Sequence, residues 1–268
     1  MLVSIDDAQD PRLNAFRWRE RQLTTIAQRK AATAEGLFIA EGDLVVQRAL
    51  EAGCTPDVVL CDPKCGSQLA SAVDAAGGTT LVASADIRRE VTGLGVPLDA
   101  IGVFKRPSLI SSDELIATST RLIVLDCVDN PSNVGSIART AAALGWDGLL
   151  LDSTSSDPLS RRALRVSMGT TFKLAFARFS NTKEILDNLH RNGFSTIGLT
   201  PHHQSREVTD LRSLHISGKR AVVLGSERQG LSDESLELCT QLATIEMAKG
   251  VDSLNVASAS AIACFALL

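Results

Sequence analysis

Residues 121–145, RLIVLDCVDNPSNVGSIARTAAALG, join a predicted strand to a predicted helix and are the clearest α/β signal in the second half of the chain. The apolar run at residues 122–125 is typical of a strand that is covered on both faces. A turn rich in cap-type residues follows it, and Gly145 predicts the end of the helix. This succession predicts an α/β fold with a mostly parallel sheet.

The same alternation of strands and helices continues on both sides of this stretch. Towards the C-terminus, strands are predicted at 148–153, 171–179, 194–200, 220–227 and 243–248, with a last helix at 255–268. The first hundred residues alternate as well, after a predicted helix at 15–36 with a basic side. A segment rich in Ser and Thr separates the halves. We therefore expect two α/β domains, at 1–108 and 120–268, joined by a linker at 109–119.

Composition narrows the classes of function. A formal net charge of −4 argues against a general nucleic-acid coat protein but allows a local basic patch. Tyr is absent and aromatics make up 4%, which argues against base stacking as the main mode of binding. The N-terminus is acidic and polar and no apolar run reaches about 20 residues, so we expect a cytoplasmic protein without a membrane span.

The six cysteines do not predict a metal site. Their spacing lacks the paired pattern of zinc ligands, and Cys61 and Cys65 form a lone C-x3-C. Cys127 and Cys264 lie in apolar runs and are interpreted as core residues.

Glycines and small polar residues follow three of the predicted strands. In open α/β sheets, ligands bind beyond the carboxyl ends of the strands, so these positions are candidates for a site. Capping explains each one singly, because Ser and Asn side chains accept hydrogen bonds from a first helical turn, worth about 1 kcal/mol. Capping does not explain their recurrence at three strand ends. These glycines and small polar residues are Asn133, Gly225, Gly230, Asp252, Ser253 and Asn255. Two charged candidates lie among them: Glu227, whose carboxylate suits a ribose hydroxyl or a cationic group, and Arg139, whose alternative interpretation is a solvated surface residue.

Three segments resemble the ordered motifs of the SpoU family of RNA ribose 2′-O-methyltransferases, within the SPOUT superfamily. They are NPSNVGSIARTAAALG, VVLGSERQGLS and IEMAKGVDSLNVASASAI, and PLSRRALRVSMGTTFKLAF resembles the segment between the first two. The resemblance covers about residues 120–268 and is closest to the TrmH-like branch that includes the thiostrepton-resistance methyltransferases. More loosely, LFIAEGDLVVQRALEAG resembles the family's smaller N-terminal α/β domain, an RNA-binding domain of ribosomal-protein type.

The resemblance implies a deep trefoil knot near the C-terminus, S-adenosyl-L-methionine (AdoMet) as cofactor, and a homodimer. It assigns a catalytic set, Asn133, Arg139, Glu227, Ser253 and Asn255, and a cofactor set, Thr200, Gly225, Gly230, Ile245, Met247 and Leu254. The sequence departs from the family at Glu246, where Pro is usual, and at Lys249, where Gly is usual.

Basic residues at two places are candidates for RNA contact. Arg161, Arg162 and Arg165 belong to the family-like segment, and Arg17, Arg19 and Arg21 lie in the basic N-terminal helix. The alternative for both groups is an ordinary solvated helix face. Phosphate contacts would make binding weaken steeply with salt.

The expected activity is AdoMet-dependent methylation of a ribose 2′-OH in RNA, with ribosomal RNA favoured over transfer RNA. The alternatives are a transfer RNA methyltransferase and a non-catalytic RNA-binding or ribosome-assembly factor on the same scaffold. A nucleotide-binding metabolic enzyme has little support, because no phosphate loop or metal cluster appears. Arginine is normally fixed in its protonated form, so we expect Arg139 to grip phosphate and stabilise alkoxide charge rather than act as the base.

Overall fold

The computed structural model describes residues 2–30, 35–64, 66–201 and 205–268, and Cys65 of the C-x3-C pair lies outside them. The described residues of the first half form five strands and six helices. The strands are β1 (Leu2–Ile5), β2 (Leu37–Glu41), β3 (Pro56–Cys61), β4 (Thr79–Ala83) and β5 (Ala100–Lys105). The helices are α1 (Asn14–Arg17), α2 (Glu20–Leu23), α3 (Ile26–Lys30), α4 (Asp43–Glu51), α5 (Gly66–Ala75) and α6 (Ala85–Thr92).

The second half alternates strands and helices more regularly. Its helices are α7 (Ser112–Thr118), α8 (Pro131–Ala143), α9 (Arg161–Ser167), α10 (Thr182–Arg191), α11 (Asp233–Leu238) and α12 (Val256–Ala266). Its strands are β6 (Arg121–Leu125), β7 (Gly148–Leu151), β8 (Ala175–Arg178), β9 (Ser195–Leu199), β10 (Val208–Asp210), β11 (Arg220–Leu224) and β12 (Gln241–Thr244). Short 3-10 turns occur at Pro11–Leu13, Thr170–Lys173 and Leu211–Ser213.

Contacts divide the chain into two compact units. Unit 1 comprises Met1–Leu109 and Leu159–Phe172, and unit 2 comprises Ile110–Pro158 and Lys173–Leu268. Helix α9 and its flanking residues pack within unit 1, whereas the predicted domain boundaries group them with the rest of 120–268. The chain therefore passes between the units three times.

Unit 1 is built on a mixed five-stranded sheet in the order β1-β4-β3-β5-β2. Strands β1, β4 and β3 are parallel, and β5 runs antiparallel to both β3 and β2. Phe38 stacks on Phe104 with ring centroids 5.4 Å apart. A buried cluster that includes Phe16, Leu60 and Leu81 forms its core.

The predicted helix at 15–36 is wrong in one respect, because α1, α2 and α3 divide this segment. The chain is extended at Trp18, where the carbonyl accepts a hydrogen bond from the Arg161 guanidinium instead of continuing a helix. The Gln22 side chain then accepts from the Arg19 backbone N–H at 2.9 Å and starts α2. Tertiary contact and local capping override the helical pattern.

Unit 2 is built on a seven-stranded sheet in the order β10-β12-β9-β11-β6-β7-β8, and every pairing is parallel. This confirms the predicted α/β class with a mostly parallel sheet. The interior strands β6 and β11 are almost wholly buried, as expected for strands covered on both faces.

Helix α12 packs against α8. The Trp146 indole Nε1 donates to the Cys264 carbonyl at 3.2 Å, which fixes the end of α12. The outer side of α12 exposes Ile262 and Phe265, with Phe265 70% exposed, and Leu268 beyond the end of the helix is exposed too. Within the described residues, no helix combines the length and apolar character needed to cross a membrane.

Candidate active site

The carboxyl ends of three adjacent strands, β9, β11 and β12, border a cavity of about 580 Å³ in unit 2. The strand-end argument predicted a pocket at this edge of the sheet. All six residues assigned to the cofactor line the cavity, and Glu227 and Ser253 of the catalytic set line it too. The six are Thr200, Gly225, Gly230, Ile245, Met247 and Leu254.

The loop after β11 is a tight turn closed on itself. The backbones of Ser226 and Gly230 exchange two hydrogen bonds, of 2.9 and 3.0 Å. A Cβ atom on Gly225 would lie 2.1 Å from the Gly230 carbonyl carbon, so only glycine fits there. Gly230 has φ +72°, in the left-handed region that glycine adopts without strain.

Asp126, the first residue after β6, holds the far end of this loop. Its buried carboxylate accepts from the backbone N–H of Ser232 at 2.9 Å and from the Ser232 hydroxyl at 2.7 Å. Its own N–H donates to the Leu224 carbonyl at 2.8 Å. Asp126 was not among the predicted site residues, although its position directly after a buried strand is a usable signal.

The three motifs meet at Asn255. Its side-chain oxygen accepts from the Ala257 N–H at 2.9 Å and so caps α12. Its side-chain nitrogen donates to Asn133 Oδ1 at 3.1 Å and to Glu227 Oε1 at 2.5 Å. Asn255 therefore both caps a helix and joins the motifs at the rim of the cavity, through Glu227.

Asn133 is almost completely enclosed in the first turns of α8. The side chain is 5% exposed, and its Nδ2 atom has no hydrogen-bond partner among the described residues. The cap of α8 is Asn130, whose side chain accepts from the Ser132 N–H at 2.9 Å. Asn130 therefore caps α8, and the Asn133 side chain is not needed as a cap and contacts Asn255.

Arg139 stands apart from this cluster. It lies exposed on α8 and is not among the residues that line the cavity of its own chain. The structure thus brings Asn133, Glu227, Ser253 and Asn255 to one end of the sheet but does not bring Arg139 to the cavity.

The arginines predicted to contact RNA differ in their surroundings. Arg161 and Arg165 form ion pairs with the buried carboxylate of Glu41, at 3.5 and 2.9 Å. Arg161 is 19% exposed, and its guanidinium also donates to the Phe16 and Trp18 carbonyls, which is an intramolecular role within unit 1. The Arg165 side chain remains 41% exposed.

The remaining four arginines predicted to contact RNA differ in exposure. Arg162, Arg19 and Arg21 are exposed, whereas Arg17 is half-buried and donates to the Ala8 carbonyl. Exposure leaves the first three able to approach a phosphate backbone.

Several residues that line the cavity were not singled out from the sequence. Pro201, Leu224, Arg228 and Thr244 follow from the strand-end argument when it is applied to every residue at these ends. Arg228, Glu227 and Asp252 are the charged side chains on the described lining. Within the described ranges, no group of three or more His, Cys, Asp or Glu is placed to hold a metal ion.

Comparisons with known proteins agree with this geometry. Residues 120–265 match the model of the SpoU rRNA Methylase family. An uncharacterized tRNA/rRNA methyltransferase of Mycobacterium bovis is 33% identical over 260 residues, which cover 97% of this chain and 89% of that protein.

Solved structures share the fold over nearly the whole chain. The AdoMet-bound rRNA methyltransferase of Sinorhizobium meliloti superposes with a TM-score of 0.83 at 25% identity, covering 99% of this chain and 97% of that one. The SpoU methyltransferase AviRb of Streptomyces viridochromogenes, in complex with AdoMet, gives 0.76 at 24% identity and covers 96% and 97%. Together with the meeting of the three motifs at Asn255, the family match shows that the chain belongs to the SpoU family of RNA methyltransferases.

Proposed function

We propose that the protein transfers a methyl group from AdoMet to a ribose 2′-OH of RNA, with ribosomal RNA as the substrate class, in the cytoplasm. The observation that carries the proposal is the bridge from Asn255 to Asn133 and Glu227, which joins three distant motifs at the rim of a cavity. A purely RNA-binding scaffold has no need for such a bridge beside a cavity of small-molecule size.

The cavity suits AdoMet in size and in chemistry. Its volume of about 580 Å³ lies within the range of small-molecule sites, and its walls include Leu199, Ile245 and Leu254 for the apolar faces of an adenosine. The turn at Gly225 keeps side chains away from its backbone, which lets a ligand approach closely. The Glu227 carboxylate offers an acceptor to ribose hydroxyls. When bound, AdoMet supplies an electrophilic methyl group.

The chain's own residues would orient and activate the nucleophile. A ribose 2′-OH must lose its proton as the new bond forms, and it must be held close to the methyl carbon. We assign Arg139 the role of gripping the phosphate of the target nucleotide and stabilising charge on the oxygen. The proton leaves to phosphate or water, because the Arg139 guanidinium is a poor base.

The position of Arg139 supports a homodimer. Arg139 is exposed on α8 and does not line the cavity of its own chain, and the neighbouring helix α12 exposes Ile262 and Phe265. We propose that a second copy covers this apolar face and that Arg139 of one chain acts at the cavity of the other. We further propose that the C-terminal segment forms the trefoil knot of the family.

Methyl transfer tests the proposal. The protein is incubated with AdoMet labelled with tritium in the methyl group and with ribosomal or transfer RNA, and the product is digested with alkali. A 2′-O-methyl ribose protects the adjacent phosphodiester, so the label is expected in alkali-resistant dinucleotides from ribosomal RNA. Label in transfer RNA alone would favour the transfer RNA alternative. RNA binding without any label would favour an assembly factor, and label on a base would contradict ribose methylation.

A further inference from the structure

Glu246 occupies the position where the family usually has proline, and the structure gives it a specific partner. It lies between Ile245 and Met247, which both line the cavity. Its carboxylate accepts a hydrogen bond from the guanidinium of Arg212, 34 residues earlier in the chain. The residue that replaces the usual proline therefore forms an ion pair with Arg212.

Asp210 holds the Arg212 side chain in place independently of its contact with Glu246. Asp210 accepts from Arg212 Nε at 3.0 Å and from its Nη2 at 2.6 Å, in a paired geometry. Asp210 ends β10, in parallel register with Thr244 at the end of β12. The arginine is thus anchored to the strand next to the one that leads into the loop, so the ion pair costs little side-chain entropy.

We propose that the ion pair between Glu246 and Arg212 replaces proline as the restraint on the cofactor loop, residues 245–250, and positions Ile245 and Met247 against the ligand. The inference rests on the proposed function, that is, on AdoMet binding in this cavity. A proline fixes one backbone angle covalently, and salt does not affect that restraint. The two side chains of the ion pair are 74% and 70% exposed, so salt screens their attraction. AdoMet affinity should therefore fall with ionic strength in this protein.

The experiment measures the AdoMet Kd by calorimetry at about 50 mM and about 500 mM NaCl, where screening is weak and strong. The variants are E246Q, R212Q, their double mutant and E246P. The control is R12Q in unit 1, because Asp10 and Arg12 repeat the spacing and paired geometry of Asp210 and Arg212.

The expected results separate the ion pair from a general effect of charge. At low salt, E246Q and R212Q each raise Kd about two- to fivefold, and the double mutant is no weaker than either single one. At high salt the difference from wild type disappears. E246P binds AdoMet with the wild-type Kd at low salt, and its Kd does not change with salt. R12Q has the wild-type Kd at both salt concentrations.

Two results would overturn the inference: an unchanged Kd in E246Q at low salt, or full additivity in the double mutant. Amide hydrogen exchange of residues 245–250 in the ligand-free protein gives an independent reading, with faster exchange expected in E246Q and R212Q. If wild type binds no AdoMet, the proposed function fails, while exchange still decides whether the ion pair fastens the loop. Unchanged amide exchange of residues 245–250 in both E246Q and R212Q would show that the ion pair does not restrain the loop.

Discussion

The side-chain nitrogen of Asn255 donates to Asn133 Oδ1 at 3.1 Å and to Glu227 Oε1 at 2.5 Å, so one amide joins residues 122 and 28 positions away. The same side chain caps α12 through its oxygen. Capping and bridging use different atoms of Asn255, and substitutions can therefore separate the two roles.

Asn255→Ser should preserve the cap and break the bridge. A serine hydroxyl can accept from the Ala257 N–H but is too short to join Asn133 to Glu227, so we expect near-wild-type stability with at least a tenfold loss of methyl transfer, since small displacements in an active site are costly. Asn255→Ala should also lose about 1 kcal/mol of stability. Urea denaturation and tritium transfer measure the two quantities.

The matched control is Asn181→Ala. Asn181 caps α10 by accepting from the Glu184 N–H at 3.0 Å and lies outside the cavity lining. This variant should lose a similar amount of stability, about 1 kcal/mol, and retain activity. Full activity in Asn255→Ser would show that methyl transfer does not need the contacts of Asn255 with Asn133 and Glu227.

Gly225→Ala should destroy cofactor binding. The added methyl would lie 2.1–2.2 Å from backbone atoms of Gly230 and Leu231, and backbone cannot yield as a flexible side chain does. We expect destabilisation of about 1–3 kcal/mol together with a loss of AdoMet affinity of more than tenfold. Calorimetry and thermal unfolding measure these effects. Gly95→Ala, where a Cβ meets open space, is the control and should change neither.

Arg139→Lys should reduce methyl transfer by about 100-fold, because lysine keeps the charge but loses the planar fork that binds phosphate. Since Arg139 does not line the cavity of its own chain, the AdoMet Kd should stay within about twofold of wild type. Arg191→Lys, at the exposed end of α10, is the control and should be fully active. Near-full activity in Arg139→Lys would refute a role specific to the guanidinium.

Asp152→Asn should destabilise the loops after β6 and β7. The buried carboxylate accepts from the backbone N–H groups of Cys127, Thr154 and Ser155 at 2.9–3.1 Å. Burial by itself raises the pKa of Asp152, but the hydrogen bonds from Ser155 and Thr154 outweigh it and lower the pKa below its ordinary value. An amide would turn an N–H group towards these donors, at a cost of about 1–3 kcal/mol at pH 7.

The pH dependence follows from the direction of that shift. A carboxylate whose pKa is lower in the folded state stabilises the protein above its unfolded pKa of about 3.9, and the stabilisation is lost as pH falls through the folded value. The difference between wild type and Asp152→Asn should therefore shrink between pH 7 and about pH 3, as measured by urea denaturation. Asp86→Asn, at a side chain 88% exposed, should have little effect at either pH. A difference that is constant with pH would contradict this assignment.

Sequence patterns predicted the parallel sheet and the end of the sheet where the site lies. Apolar runs such as residues 122–125 identify strands locally, and the polar residues after them need only the rule that ligands bind at strand ends. The contacts of Asn255 with Asn133 and Glu227 agree with that rule, because they join segments that the parallel sheet brings to the same edge.

Local sequence patterns could not predict the side-chain contacts between segments that lie far apart in the chain. The break at Trp18 depends on Arg161, which lies 143 residues away, and the same arginine pairs with buried Glu41. A basic run looks the same in sequence whether it faces solvent or neutralises a buried acid. The ion pair between Glu246 and Arg212 could not be predicted for the same reason, since no sequence motif connects these two residues.

Calorimetric titration of AdoMet into the folded protein, alone and with ribosomal RNA, decides whether the cavity binds the cofactor. We expect one site per chain with a Kd between about 1 µM and 1 mM, the range common for enzyme substrates, and no binding to Gly225→Ala. Absence of measurable binding of AdoMet or its demethylated product to wild type, with or without RNA, would contradict the account.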